Sequence, residues 1–528
     1  MKITDKDNIA KTVTKNSIYT IVYNVWYLGS RIVITPFILY HVSIEEYGLW
    51  SYCFVVLSYL ALTAFGFNNT YIKYAAEYRS RNENTKLNEL ISTGMISMVI
   101  FSIVLFLLFL LVLPHLMNLL GIDIQLHETA KGLLTGTAAI FVFNFTLAGY
   151  QSILEGEQKI ALVKKIHLLA SVLEIFLIVL FFKIGLGVYS LLWAYVVRFS
   201  LIIVLSIFFA YRVFPFLQVR ISNFSKEAFK KFVGFGNQMT LLGFLSLFIN
   251  SIDRILLTKI LHLEAVGFYE VGRKLPNIGL MLPASIAGTM MPAASHLDGS
   301  EQHERLKEIY LASTRYLVMF SSIMYAFLIF FAAYLIEVWI GVGYSKAVPV
   351  MQILGIGTFA NLFTGIGTAF VRGIGKPGYE IKYMAVSSIL ILMLSPLLIY
   401  YQGIIGAALA YCIAQTIGSV YFLFMANRLF TIPWGRFIHQ VCPPAVLIFL
   451  LGLPPLFLCQ FLWVYTDGSR WTGLFVLGIS FGLYMLLVFF TVVLIQEKMF
   501  SLEERSRISA LKLPGSLNTV WSKLWRSV

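Results

Sequence analysis

The chain has 528 residues, of which 59% are hydrophobic and only 12% charged, and its mean hydropathy is +0.80. Soluble globular proteins carry about 25% charged and about 45–50% apolar residues, so this composition excludes a disordered tail protein, a disulfide-rich secreted domain and an ordinary soluble enzyme. In so apolar a chain the net charge of +14 reads as a membrane-orientation signal rather than the mark of a nucleic-acid partner.

Residues 1–16 are polar and hold Lys2, Lys6, Lys11 and Lys15. The apolar run behind them is too long for a removable signal peptide. A bilayer core takes about 20 apolar residues per helix. Fourteen segments meet that demand: 17–40, 47–66, 87–113, 128–150, 160–182, 186–211, 233–258, 266–293, 313–336, 347–371, 379–400, 404–426, 437–462 and 471–495. The eighth contains Pro276 and Pro283, so twelve or thirteen spans with a re-entrant piece near 276–290 is the alternative. The tail 496–528 is basic, and Trp521, Leu524, Trp525 and Arg526 suit the inner membrane surface.

The cations test the topology. Alternate loops, counted from the N-terminus, hold 29 of the 40 Lys and Arg, and the other set holds Lys183, Lys259, Lys346 and Arg470. Positive loops stay cytoplasmic. The asymmetry predicts two cytoplasmic termini and an even number of spans. No loop is long enough to fold as a catalytic domain.

The spans repeat. Ile44-Glu45-Glu46-Tyr47-Gly48-Leu49-Trp50 matches Leu263-Glu264-Ala265-Val266-Gly267-Phe268-Tyr269 at an offset of 219. Leu154-Glu155-Gly156-Glu157-Gln158-Lys159 matches Val371-Arg372-Gly373-Ile374-Gly375-Lys376 at 217, and Gly187 with Ala194-Tyr195 matches Gly403 with Ala410-Tyr411 at 216. The expected architecture is an all-α polytopic membrane protein with two six-helix lobes in parallel pseudo-twofold repeat, plus two extra C-terminal helices. Its expected divisions are an N-terminus 1–16, lobes at 17–211 and 233–427 joined by a cytoplasmic linker 212–232, extra helices in 428–495 and the tail 496–528.

Charge inside a span is costly and usually faces a cavity or a partner. Arg31 lies in the first span with no partner on its own helix, and Arg254 follows Asp253 in a similar place in the seventh. Glu270, Arg273 and Lys274 stand early in the eighth. Arg31, Arg254, Arg273 and Lys274 are candidate anion-binding residues, because a guanidinium fits phosphate oxygens with two parallel hydrogen bonds. For Arg31 the alternative is a structural pair; for Arg273 and Lys274 it is snorkelling to the surface. Glu174 and Arg198 sit at matching depth in the fifth and sixth spans and are expected to form a structural ion pair. Glu174, Asp253 and Glu270 are also candidates for coupling transport to a proton or sodium ion.

Other motifs carry little. There is no GxxxxGK[ST], and Gly373-Ile374-Gly375-Lys376-Pro377-Gly378 fits GxGxxG only as a turn between two spans. Cys53, Cys412, Cys442 and Cys459 read as small core residues, and neither they nor the eight histidines have metal-ligand spacing. No metal, cofactor or catalytic centre is expected. Glu45 and Glu46 could belong to a membrane glycosyltransferase, but the adjoining loops are short.

The stretch Glu45-Glu46-Tyr47-Gly48-Leu49-Trp50, Ala64-Phe65-Gly66-Phe67 and Ala75-Ala76-Glu77-Tyr78 resembles the second-helix signature of polysaccharide or O-antigen flippases. So does Phe229-Lys230-Lys231-Phe232-Val233-Gly234-Phe235-Gly236, followed by Asp253-Arg254-Ile255-Leu256-Leu257, Gly267-Phe268-Tyr269, Lys274-Leu275 and Met291-Pro292. These belong to the multidrug/oligosaccharidyl-lipid/polysaccharide exporter superfamily, and the likeness covers spans 1–12. It implies a bacterial inner-membrane transporter that moves an undecaprenyl-pyrophosphate-linked oligosaccharide by alternating access, with a central cationic cavity that Arg31, Arg254 and Arg273 fit by position. Membrane lipids, a polysaccharide polymerase and glycosyltransferases are the implied partners. A cation-coupled drug exporter and a lipid II flippase of the same superfamily are the alternatives.

Overall fold

The computed structural model describes residues 3–56, 83–119, 122, 124–157, 159–288, 290–299, 301–466 and 469–496, with Tyr71, Tyr74, Ala75 and Tyr78 between the first two ranges. The end of the second predicted span and the tail residues Trp521, Leu524, Trp525 and Arg526 lie outside them.

Regular structure among the described residues is helical throughout. In chain order the helices are α1 (Ile3–His41), α2 (44–56), α3 (Asn84–Leu119), α4 (His127–Gly156), α5 (Ile160–Ile184) and α6 (Tyr189–Val213). Then follow α7 (Lys226–Ile260), α8 (Leu263–Gly288), α9 (Met290–Gly299), α10 (His303–Phe330), α11 (Ala332–Trp339), α12 (Ala347–Leu362) and α13 (Gly365–Gly373). The continuous stretch Gly378–Leu429 is α14 (378–402) and α15 (404–429), because Gly403 has non-helical angles, φ 58° and ψ −135°. In a straight helix Leu398 and Gly406 would stand about 12 Å apart. Instead, a Cβ at Gly406 would fall 1.9 Å from the Leu398 carbonyl oxygen. The chain turns back on itself at Gly403, and Ser387 Oγ in α14 reaches the Ala414 carbonyl in α15 at 3.3 Å. The series ends with α16 (Trp434–Leu450), α17 (Leu453–Trp463) and α18 (Arg470–Leu494).

Helix is the physical answer to a bilayer, where no water is at hand for unpaired backbone groups. Nine helical segments among the described residues are long and apolar enough to cross a membrane. Hydroxyls inside them bond to carbonyls one turn back, as Thr137 does to Leu133 and Ser321 to Leu317, which satisfies these buried donors within their own helix. α3 exposes Ile100, Ile103, Val104, Leu107, Leu108 and Leu111, as a lipid-facing helix can and a soluble one cannot. α8 runs unbroken through Pro276 and Pro283, and Tyr325 donates to the Pro276 carbonyl at 2.8 Å.

The chain packs as two compact units, Met1–Glu270 with Leu392–Ala407, and Val271–Ile391 with Ala408–Val528. In the first, small residues let helices approach. Gly132 and Gly136, one turn apart on α4, face Tyr189 and Leu192 of α6, and added Cβ atoms would come within 2.4 and 2.7 Å of those side chains. The segment after α6 is sewn to the start of α3. Asn88 donates to Phe216 O and accepts from Gln218 N, Ser92 bonds Gln218 O and Arg220 N, and Thr93 accepts from Ser225 N. Phe214 and Leu217 anchor it in the core beside Leu87, Leu90 and Ile91. At the start of α7, Lys231 donates to the Tyr78 hydroxyl and pairs with Glu227. The Tyr78 bond, seconded by Glu227, holds that ammonium above its ordinary range.

The first repeated motif meets its own copy within this unit. A Cβ on Gly48 would lie 2.4 Å from the Leu263 carbonyl oxygen, and one on Gly267 would lie 2.4 Å from the Ile44 carbonyl oxygen. Residues 44 and 263 are offset by 219, and so are 48 and 267, so each half supplies the same glycine to the same carbonyl of the other. Such reciprocity is what a twofold relation between halves produces.

Candidate substrate-binding site

Three helices build a charged centre in the first unit. α5 and α6 form a hairpin closed by Gly185 and Gly187, both with positive φ, 89° and 53°, which glycine adopts without strain. The short turn fixes the register, so Glu174 and Arg198 come level. Arg198 Nη1 is 3.2 Å from Glu174 Oε2, and Arg31 Nη2 of α1 hydrogen-bonds the same oxygen. Glu174 and Arg198 are buried, and the Arg31 side chain is 20% exposed. Tyr27, one turn before Arg31, lies under both guanidiniums at 4.8 and 5.3 Å from its ring centroid.

The charge here does not balance. One carboxylate faces two guanidinium groups, which leaves a single positive charge inside the helix packing. The Nε atoms of Arg31 and Arg198 are buried without a hydrogen-bond partner. Buried donors are normally satisfied, so these two are unspent hydrogen-bonding capacity beside an unbalanced positive charge.

A second cluster joins α7 and α8. Asp253 is buried, accepts from the Tyr269 hydroxyl and accepts the Arg254 backbone N–H at 2.8 Å. Arg254 Nη1 pairs with Glu270 at 2.9 Å, and its Nη2 reaches the Asn250 carbonyl. In the second unit Arg273 is buried, with its guanidinium 6.0 Å from the Tyr411 ring centroid, and Lys274 is half-buried.

Against this geometry stand the comparisons with known proteins. The family model described as polysaccharide biosynthesis protein matches residues 13–298, more than half of the chain. The chain belongs to the polysaccharide biosynthesis protein family. As a member of that family it also matches the MatE model over residues 239–397. An uncharacterised membrane protein of Methanocaldococcus jannaschii is 22% identical over 88% of this chain and 95% of its own length. A Shigella flexneri protein named for O-antigen transport is 24% identical over 73% of this chain and 90% of its own. In fold, the family member is similar to a lipid II flippase in an inward closed conformation, with TM-score 0.69, 16% identity and coverage of 91% and 99%. It is also similar to an inward-facing multidrug transporter of the same superfamily, with TM-score 0.62, 17% identity and coverage of 79% and 94%. Its fold is thus that of the multidrug/oligosaccharidyl-lipid/polysaccharide exporters.

For this family member the structure adds detail to the sequence expectations. It brings Arg31, Glu174 and Arg198 together, and separately Asp253, Arg254 and Glu270. Arg31 has a carboxylate partner four spans further along the chain in contact with it, which its own helix could not reveal. Glu46, considered as a sign of glycosyltransfer, accepts the Ser43 backbone N–H at 2.9 Å while Ser43 Oγ accepts the Glu46 N–H at 3.1 Å. That is a capping box starting α2, and Ser43-x-x-Glu46 was readable in advance. The GxGxxG stretch joins α13 to α14, with Gly375 at φ 73°, and Arg372 clamps Glu380 across it with two hydrogen bonds. Cys53 and Cys459 are buried, Cys412 and Cys442 partly so, and all are free thiols. Tyr27 is the member of the charged centre that the sequence reading did not name. Its signal was available, a ring one helical turn from an intramembrane arginine.

Proposed function

We propose that the protein flips an undecaprenyl-pyrophosphate-linked oligosaccharide from the inner to the outer leaflet of a bacterial cytoplasmic membrane, for O-antigen or exopolysaccharide synthesis. The observation that carries this reading is the Arg31–Glu174–Arg198 centre: two guanidiniums on one carboxylate, with both Nε atoms lacking a hydrogen-bond partner. A diphosphate supplies the missing negative charge and the acceptor oxygens. The Shigella relative's name and the family description support the saccharide part. The headgroup passes through a polar path while the isoprenoid tail stays in lipid. Fourteen spans, cytoplasmic termini and two six-helix lobes at 17–211 and 233–427 belong to this reading, as do Arg254, Arg273 and Lys274 as further anion contacts. Asp253, Glu270 and Glu174 are its ion-coupling candidates. Polymerase and glycosyltransferases would act after and before it.

Deletion should make lipid-linked oligosaccharide accumulate on the cytoplasmic leaflet. An Arg31→Ala, Arg273→Ala double variant that inserts normally should fail to relieve that accumulation, and full relief overturns the proposed anion site. Likeness in fold to a lipid II flippase over nearly all of that chain favours one second reading. Under it, deletion would instead make lipid II accumulate.

A further inference from the structure

Three tyrosines stand at four-residue intervals on α1: Tyr19, Tyr23 and Tyr27. Residues four apart lie on one helix face and rise about 6 Å per step. Each ring is met by cations from neighbouring helices. Lys165 Nζ lies 4.7 Å from the Tyr19 centroid and Lys164 Nζ 5.7 Å from that of Tyr23. The Arg31 and Arg198 guanidiniums lie at Tyr27. His167 meets the Tyr23 ring edge-on at 5.6 Å and bonds Gln151 at 3.0 Å. Glu155, bonded to Gln151, faces Lys164. The three rings are half-buried, Lys164 is half-buried and Lys165 exposed, so the stripe is not sealed within the helix packing.

We infer that this stripe is a saccharide track. It leads from the first turns of α5 to the arginine centre, and it rests on the flippase reading above. Sugars present apolar C–H faces that stack on aromatic rings, and hydroxyls or acidic groups that hydrogen-bond to ammonium groups. A purely electrostatic anion site would need no ladder of rings. A purely structural helix contact would bury these rings and would not leave Lys165 exposed. The diphosphate sits at Arg31 and Arg198, and the sugars attached to it lie along Tyr23 and Tyr19.

The test uses the full chain in lipid nanodiscs with two probes. One is undecaprenyl pyrophosphate without sugar. The other is the lipid-linked oligosaccharide that accumulates in the deletion strain. A Tyr19→Leu, Tyr23→Leu variant should bind the saccharide-bearing lipid about tenfold more weakly, a scale typical of removing well-packed aromatic contacts. Its binding of the sugar-free lipid should be unchanged, and Tyr19→Phe, Tyr23→Phe should keep most of the affinity. Equal losses on both lipids, or no loss on either, overturn the track. If the leucine variant fails to insert, Lys164→Gln, Lys165→Gln is read by the same two probes and the same criterion. Wild-type protein that binds neither lipid overturns the flippase reading and the track with it. Wild-type protein that binds both, with variants unaffected, overturns the track alone.

Discussion

Glu174 is one carboxylate shared by two arginines, and its removal should be costly. Leaving buried charge unpaired typically costs about 3–5 kcal/mol, because the desolvation remains while the attraction is lost. Glu174→Ala should therefore lower thermal stability in detergent far more than Arg31→Ala, which leaves Glu174 still paired with Arg198. Equal stability of the two variants would show that Glu174 does not hold the pair. The depth match of Glu174 with Arg198 was legible, since a short hairpin places residues equidistant from its turn side by side. Arg31 was legible only as a charge in need of a partner. Its partner lies 143 residues away, a distance no helical periodicity reports. Ser43 and Glu46 make the opposite case. Their capping box is purely local, and Ser43→Ala should cost about 0.5–2 kcal/mol, read as a fall in melting temperature.

At the scale of elements, the repeat and the packing describe the same glycines. Gly48 and Gly267 let α2 and α8 touch backbone to backbone, each against a carbonyl oxygen that cannot move aside cheaply. Gly48→Ala and Gly267→Ala should each destabilise by about 1–3 kcal/mol, as overpacking does. Because both close one contact, the double variant should cost less than the two single changes added together. Strict additivity in thermal unfolding would argue that the two sites are independent. Gly403 has a different constraint. Its φ of 58° with ψ of −135° is open to glycine and strained for other residues, and it lets α14 turn into α15 with no loop between. Two apolar runs around Gly403 were enough to separate these helices in the sequence. The linker's hydrogen bonds to Asn88, Ser92 and Thr93 were not readable, because they join residues about 130 apart.

For the whole molecule, the testable property is orientation. Thiols introduced at Lys183 and Ser469 should react with a membrane-impermeant reagent from outside the cell, in a background with the four native cysteines replaced. Thiols at Lys226 and Arg436 should react only after permeabilisation. The reverse pattern would overturn the assignment of the 29 loop cations to the cytoplasm. The repeat division and the compact units are not the same division. The repeat places Leu263–Glu270 in the second half, whereas packing places it in the first unit, beside Ile44 and Gly48.

Composition and hydropathy determined by themselves that the chain is a helical membrane protein, because a bilayer accepts few other structures for such a sequence. Loop charge set the expected orientation, and near-constant offsets exposed the duplication. Family membership was legible in dispersed residues such as Tyr47-Gly48-Leu49-Trp50 and Asp253-Arg254-Ile255. Only the tertiary structure decided which charges meet: Arg31 with Glu174 and Arg198, Arg254 with Glu270, Asp253 with Tyr269. The reason is physical. Burial in lipid acts on every residue locally and leaves its mark in composition, whereas an ion pair depends on the register of separate helices, which packing alone sets.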